Sequence, residues 1–426
     1  MLYHLFEFLR EQGTHFPGIG LMQYISVRGI FGTITAILIA LFAGKKTIAL
    51  LQKKQIGEEI RNLGLEGQLA KKGTPTMGGV IIIVSLLIPI LLFGDLTNTN
   101  TLLLIFTTVW LGFLGFMDDY IKVFKHNKDG LNGRVKIAGQ VILGLVVGLA
   151  LCFDESLAFR EGNAVKAPEA AVQTIDEVPS VESSDAFESN AIMTTIPFVK
   201  NNEFNYAWLS PFKGKVGDIF TKILYILVII FIITGCSNGS NLTDGMDGLA
   251  TGVCAIVGVT LGILAYVSGH VGYADYFNIM YMENSGDIAV FMMTLVGALL
   301  GFLWYNSYPA QVFMGDTGSL TLGGIIGVCA VLIRKELLLP ILCGIFLVES
   351  LSVIIQRYYF KYTKKKYGAG RRIFKMAPLH HHFQKENVEA AIKKPVIAHP
   401  EAKIVMRFYI VSIMLAVLTI ITLKIR

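Results

Sequence analysis

The sequence predicts an all-α polytopic membrane protein of about ten transmembrane helices, with its chemistry gathered at one membrane face. Three observations carry this. Hydrophobic residues make up 53% of the 426 and charged residues only 16%, too apolar a balance for an ordinary soluble domain. Apolar runs of the length needed to cross about 30 Å of hydrocarbon, near 20 residues, recur along the chain. Lysine and arginine concentrate in alternate loops.

Ten apolar segments are drawn at 24–44, 77–94, 101–117, 136–153, 219–235, 249–267, 288–305, 319–333, 337–356 and 405–423. The N-terminal stretch MLYHLFEFLREQGTHF lacks a basic leader joined to a short apolar core, so no removable signal peptide is expected. The loops after segments 1, 3 and 9 hold 25 of the 37 basic residues, among them Lys71, Lys72, Lys122, Lys136 and thirteen from Arg357 to Arg407. The positive-inside rule makes that side cytoplasmic and turns both termini outward. Chain 1–426 reads as one membrane domain. Within it, residues 154–218 form an acidic extracytoplasmic insert containing PEAAVQTIDEVPSVESSDAFESN, expected to be solvated, partly disordered and without a catalytic part. No internal repeat and no broken helix pair is evident, which argues against a transporter. Five cysteines at unrelated spacings read as packing residues rather than a metal or disulfide framework. A net charge of +6 belongs to membrane topology here, and no nucleic-acid partner is expected.

Five clusters carry the chemistry. Asp118 and Asp119 end segment 3 in GFMDDYIKVFK, at the negative end of a helix dipole, where two acids need a cation or proton. The plainer reading is a solvated helix end beside Lys122 and Lys125. In CSNGSNLTDGMDGLATG, Asn241, Asp244 and Asp247 recur every three residues and would share a face if segment 6 has begun there. One helix cap needs one such residue, not three. Asp316, flanked by glycines in VFMGDTGSL, is a carboxylate at membrane depth, with Phe313 three residues earlier as packing or as a stacking ring. His380, His381 and His382 follow Arg371, Arg372 and Lys375 in a basic loop suited to diphosphate binding or proton transfer, though three adjacent histidines do not make one metal site. Lys71, Thr74 and Thr76 precede segment 2 in LAKKGTPTMGG, where ammonium and hydroxyl groups can hold phosphate oxygens without a P-loop order. All five fall on one predicted face. Carboxylates for a divalent ion with cations around them are the parts that phosphoryl transfer uses.

Taken in order, KKGTPTMGG, MDDYIK, NLTDGMDGLA, FMGDTGSL and APLHHHF closely resemble the phospho-N-acetylmuramoyl-pentapeptide transferase branch of the polyprenyl-phosphate N-acetylhexosamine-1-phosphate transferase superfamily. The likeness covers nearly the whole chain outside the acidic insert and the N-terminal stretch. APLHHHF looks particular to the muropeptide branch, with a UDP-GlcNAc:polyprenyl-phosphate GlcNAc-1-phosphate transferase of the same superfamily as the alternative reading. The resemblance implies ten helices in a bacterial inner membrane, a cytoplasmic active site and a homodimer. It further implies reaction of UDP-N-acetylmuramoyl-pentapeptide with undecaprenyl phosphate, giving the lipid-linked muramoyl-pentapeptide and UMP, with Mg²⁺. Carried over by position, Asp316 would ligate Mg²⁺, Asp118 and Asp119 would lie beside the lipid phosphate, and His380 would join the catalytic group. Asn241, Asp244 and Asp247 would line the nucleotide site and Phe313 would stack on uracil. Lys71, Thr76, Gln356, His381 and His382 would complete the diphosphate and sugar-peptide contacts.

Overall fold

Each apolar segment becomes a helix, because backbone groups placed in hydrocarbon must bond within their own segment. The computed structural model describes residues 1–13, 19–54, 71, 73–125, 127, 129–154, 192–199, 203–277 and 279–424. Lys72 and most of the acidic insert lie outside the described residues. A surface helix α1 (Leu2–Glu11) is followed by α2 (Ile25–Lys53), α3 (Gly79–Phe93), α4 (Thr99–Phe124) and α5 (Gly133–Phe153). Asn98 and Asn132 start α4 and α5 by accepting N–H bonds from Asn100 and Arg134, as helix caps do. A short hairpin of β1 (Met193–Thr195) and β2 (Glu203–Asn205) leads to α6 (Lys215–Thr243), α7 (Leu249–Ser268) and the short α8 (Val271–Phe277). Then come α9 (Gly286–Asn306), α10 (Gly315–Leu332), α11 (Leu339–Leu342), α12 (Gly344–Tyr367), the single turn α13 (Leu379–His382) and α14 (Glu401–Thr422).

Eight of the described helices are long and apolar enough to cross a bilayer. A ninth span is bent by 73° where α11, with the turn before it, meets α12. The expectation of no broken helix is therefore corrected. Apolar composition runs through the break unaltered, while the backbone leaves the helical region at Cys343, where φ is −93° and ψ is 28°. The remaining segment forms α3, whose 15 residues reach only about 22 Å. All five cysteines are free, and all but Cys152 are buried.

The insert is also corrected in part. Its end is packed, not solvated: Thr194 and Thr195 are fully buried, and the Thr195 N–H donates to the Arg334 carbonyl at 2.9 Å. The Tyr206 hydroxyl donates to Glu336 at 3.0 Å and Lys335 to the Thr195 hydroxyl at 2.8 Å. The hairpin thus covers the polar turn after α10, a function that its acidic neighbours in sequence conceal.

Every residue of α10 from Thr317 to Leu332 is buried, with α3, α4 and α6 against it. Its start meets the end of α4 at Gly115, where an added Cβ would lie 2.3 Å from the Asp316 carbonyl oxygen. Only a residue without a side chain permits this crossing, and the crossing sets Asp118 and Asp119 against the first turn of α10. Gly115→Ala should lower stability by about 1–3 kcal/mol through overpacking, read as a fall in thermal midpoint in detergent. Gly235→Ala, at a helical position with no atom within 4 Å, should leave the midpoint unchanged or raise it; equal losses in both would remove the crossing from this account.

Candidate active site

The end of α4 holds two adjacent carboxylates that point to different tasks. Asp119 accepts from the Asp316 N–H at 3.0 Å, the Thr317 N–H at 2.9 Å and the Thr317 hydroxyl at 2.6 Å. It caps α10 from outside that helix, and its charge sits at the positive end of the α10 dipole. Gly315, with φ of +72°, makes the turn that presents these N–H groups, in a left-handed conformation that favours glycine. A Cβ there would meet Asp119 at 2.6 Å and the Thr76 hydroxyl at 3.1 Å, which places Thr76 at the same junction.

Asp118 is fully buried and pairs with Lys122 at 2.6 Å and Lys136 at 2.9 Å, while the Leu131 N–H donates to it at 2.6 Å. Both lysines reach on to Asp316, Lys136 at 2.5 Å and Lys122 at 3.2 Å. The Asn241 amide donates to the other Asp316 oxygen at 2.9 Å. Carboxylate oxygens of Asp118, Asp119 and Asp316 lie within 4.8 Å of one another, a group that could hold a metal ion. Three hard oxygen donors in this arrangement suit a divalent cation such as Mg²⁺ or Ca²⁺. Three carboxylates against the two ammonium groups leave the centre about one negative charge in excess, which favours a further cation.

A second ion group lies beside it. Lys71 bridges Asp247 and Glu401, each at 2.6 Å, and stands 5.9 Å from the ring centre of half-buried Phe313. Glu401, the first residue of α14, also accepts from the Asp247 N–H at 2.7 Å, and Asp247 accepts from the Ala310 N–H at 2.9 Å. Burial opposes the charge on Lys71, but Glu401 and Asp247 hold it above the ordinary lysine value. The Lys71 and Phe313 segments are joined through backbone: the Phe313 N–H donates to the Pro75 carbonyl and the Gly78 N–H to the Phe313 carbonyl, both at 2.8 Å.

Asn241, Asp244 and Asp247 do not share one helix face, and that expectation is corrected. Asn241 belongs to the last turn of α6 and faces Asp316, Asp244 ends that helix, and Asp247 lies in the turn before α7. Gly248, with φ of +78°, makes the left-handed turn from which α7 begins. His380 is buried, 3.2 Å from Glu349, and its ring lies against Gly245. His381 contacts Gln384 at 2.9 Å. His382 is spent on the loop, accepting from the Lys375 N–H at 3.0 Å and meeting the Lys394 carbonyl at 2.8 Å. Gln356 likewise clasps the loop, accepting from the Ile373 and Phe374 N–H groups and donating to the Phe374 carbonyl. Lys122, Lys136, Glu349 and Glu401 were not singled out from sequence as site residues. Lys136 registered there only as a topology charge, and Lys122 besides that only as a solvated neighbour of the pair, although it lies four residues after Asp118.

Burial, with His380 and Lys71 nearby, pushes the His381 imidazole down to about 4. A lowered value keeps the ring neutral above that pH. The acid limbs of the pH–activity curves for wild type and His381→Gln should therefore coincide in shape above pH about 5; a limb near 6.5 lost with that substitution would contradict this.

Comparison with known proteins bears on the same segments. Residues 71–83 match the phospho-N-acetylmuramoyl-pentapeptide-transferase signature 1, and residues 186–334 match glycosyl transferase family 4. The phospho-N-acetylmuramoyl-pentapeptide-transferase of Parabacteroides distasonis is 54% identical over 429 residues, covering 100% of both chains. Proteins of the same name from Porphyromonas gingivalis and Flavobacterium psychrophilum are 53% and 51% identical, again over 100% of each chain.

Proposed function

The chain belongs to the phospho-N-acetylmuramoyl-pentapeptide transferase family, and from that premise we propose that it transfers phospho-N-acetylmuramoyl-pentapeptide from its UDP nucleotide to undecaprenyl phosphate. The products are lipid I, a precursor of peptidoglycan, and UMP. One observation carries the reading: Asp118, Asp119 and Asp316 meet Lys122 and Lys136 at a single helix junction. Phosphoryl transfer depends mainly on positioning and on neutralising phosphate charge, and this junction offers both. The basic loops orient the site toward the cytoplasm of a bacterial inner membrane, and the enzyme acts as a homodimer.

Asp316 and Asp118 are the residues to hold Mg²⁺, with Asp119 fixing the turn that carries Asp316. When bound, the ion supplies charge neutralisation at the departing phosphate. A lipid phosphate oxygen attacks the β-phosphorus, a new P–O bond forms, and the bond from that phosphorus to the oxygen bridging the α-phosphate breaks. UMP leaves with the bridging oxygen. A phosphate monoester has its second pKa near 6, so the nucleophile needs orientation more than deprotonation. Asp118, engaged by two ammonium groups and the Leu131 N–H, suits orientation and is poorly free to become a covalent nucleophile. Lys122 and Lys136 are placed to take phosphate oxygens. Phe313 stacks on uracil, and Asn241, Asp244 and Asp247 line the nucleotide with Lys71. Thr76 and His380 flank the diphosphate, while His381, His382 and Gln356 order the sugar-peptide side.

Asp316→Asn should reduce turnover at least about a hundredfold, since a metal contributes several kcal/mol to such a transition state. Full UMP release by that variant would remove Asp316 from the centre. Exchange of labelled UMP into the UDP-sugar without lipid acceptor should be absent; brisk exchange would establish a covalent enzyme intermediate instead.

A further inference from the structure

A cavity of about 530 Å³ lies between α12 and the loop that follows it, a volume within the range of small-ligand sites. Gln356, Arg357 and Phe360 of α12 form one wall, and Arg372, Lys375 and Lys385 stand across from them. Its lining includes four cationic side chains and, among the described residues, no carboxylate. Neither Arg357 nor Arg372 forms an ion pair among the described residues. The walls are fixed. Lys375 is 3% exposed, and its ammonium donates to the Lys385 carbonyl at 2.8 Å and to the Pro395 carbonyl. Gln356 binds the backbone of 373–374 from the other side.

We propose that this cavity receives the peptide end of the nucleotide substrate through the peptide's carboxylate groups. This rests on the function proposed above. A pentapeptide ends in a carboxylate and spans up to about 17 Å when extended, so its end must be held away from the diphosphate. The cavity adjoins the site: the Lys375 N–H bonds His382, and His380, two residues earlier, packs on Gly245 beside Asp244 and Asp247. Guanidinium pairs match carboxylates in geometry as well as charge.

An anionic lipid headgroup offers similar chemistry, but the helix faces favour the soluble substrate. Leu351, Ile354, Ile355, Tyr358 and Tyr362 are exposed on α12 along one stripe, which at about 100° per residue lies opposite Gln356, Arg357 and Phe360. The apolar stripe is the lipid-facing side. The cavity wall looks away from it.

The test is steady-state UMP release from two nucleotides, one with the natural peptide and one with its C-terminal carboxylate amidated. Wild type should show a KM about tenfold higher for the amide. In Arg357→Ala/Arg372→Ala the KM for the natural nucleotide should rise about tenfold to match the amide, with kcat within about twofold, and Arg357→Lys/Arg372→Lys should restore part of the preference. Lys385→Gln reads the same ratio in a single change should the double variant fold poorly. A variant that keeps the wild-type preference, or loses kcat equally on both nucleotides, overturns the proposal. So does a defect confined to phosphatidylglycerol vesicles and absent in neutral detergent, which would assign the cavity to a headgroup. No UMP release by wild type from either nucleotide would overturn the proposed reaction, and this inference with it.

Discussion

Three carboxylates meet where α4 crosses the first turn of α10, and their mutual repulsion in a largely buried junction is the constraint around which the basic face is organised. Asp118 is offset by two ammonium groups and one N–H, Asp119 by the positive end of α10, and Asp316 by the same lysines with Asn241. Lys136 is the better covered of the two lysines and Lys122 about a third exposed, so loss of the Lys136 ammonium leaves the larger uncompensated charge on buried Asp118. The junction therefore joins four helices: α4, α5 through Lys136, α6 through Asn241, and α10. Gly115 allows the approach of α4 to α10.

Around this centre the site is tied together by side chains bonding loop backbone rather than by regular structure. Lys71, Asp247 and Glu401 connect the segment before α3, the turn after α6 and the start of α14. Gln356, Lys375 and His382 fasten the basic loop after α12. Binding residues on such loops gain precision only when each clasp is satisfied. The bend before α12 belongs to the same scheme, since it carries Glu349 to the buried His380. The opposite face is closed separately, by the hairpin on the turn after α10 and by Arg28 with Asp287 at 2.6 Å.

Much of this was legible in the residues. Apolar length locates eight spans and the bent ninth because the bilayer imposes it, while α3 falls short of that length, and Asp118, Asp119 and Asp316 stand out because acids at membrane depth are unfavourable without a function. What sequence conceals is the partner across space. A DD pair reads as one unit, yet one carboxylate caps another helix and its neighbour holds two lysines. Spacing of three suggested a common face for Asn241, Asp244 and Asp247, but α6 ends between the first and the last. Lys136 and Glu401 resemble ordinary charges near helix ends until the fold brings them to Asp316 and Lys71. Acidic composition likewise hid the buried threonines of the hairpin.

The account stands most directly on whether these carboxylates share one cation. Mn²⁺ titrated into the purified protein and counted by electron paramagnetic resonance measures that without turnover. One tight site per chain is predicted, lost in both Asp118→Asn and Asp316→Asn and retained in Asp287→Asn, at the opposite face. Binding that survives both of the first two substitutions would contradict it.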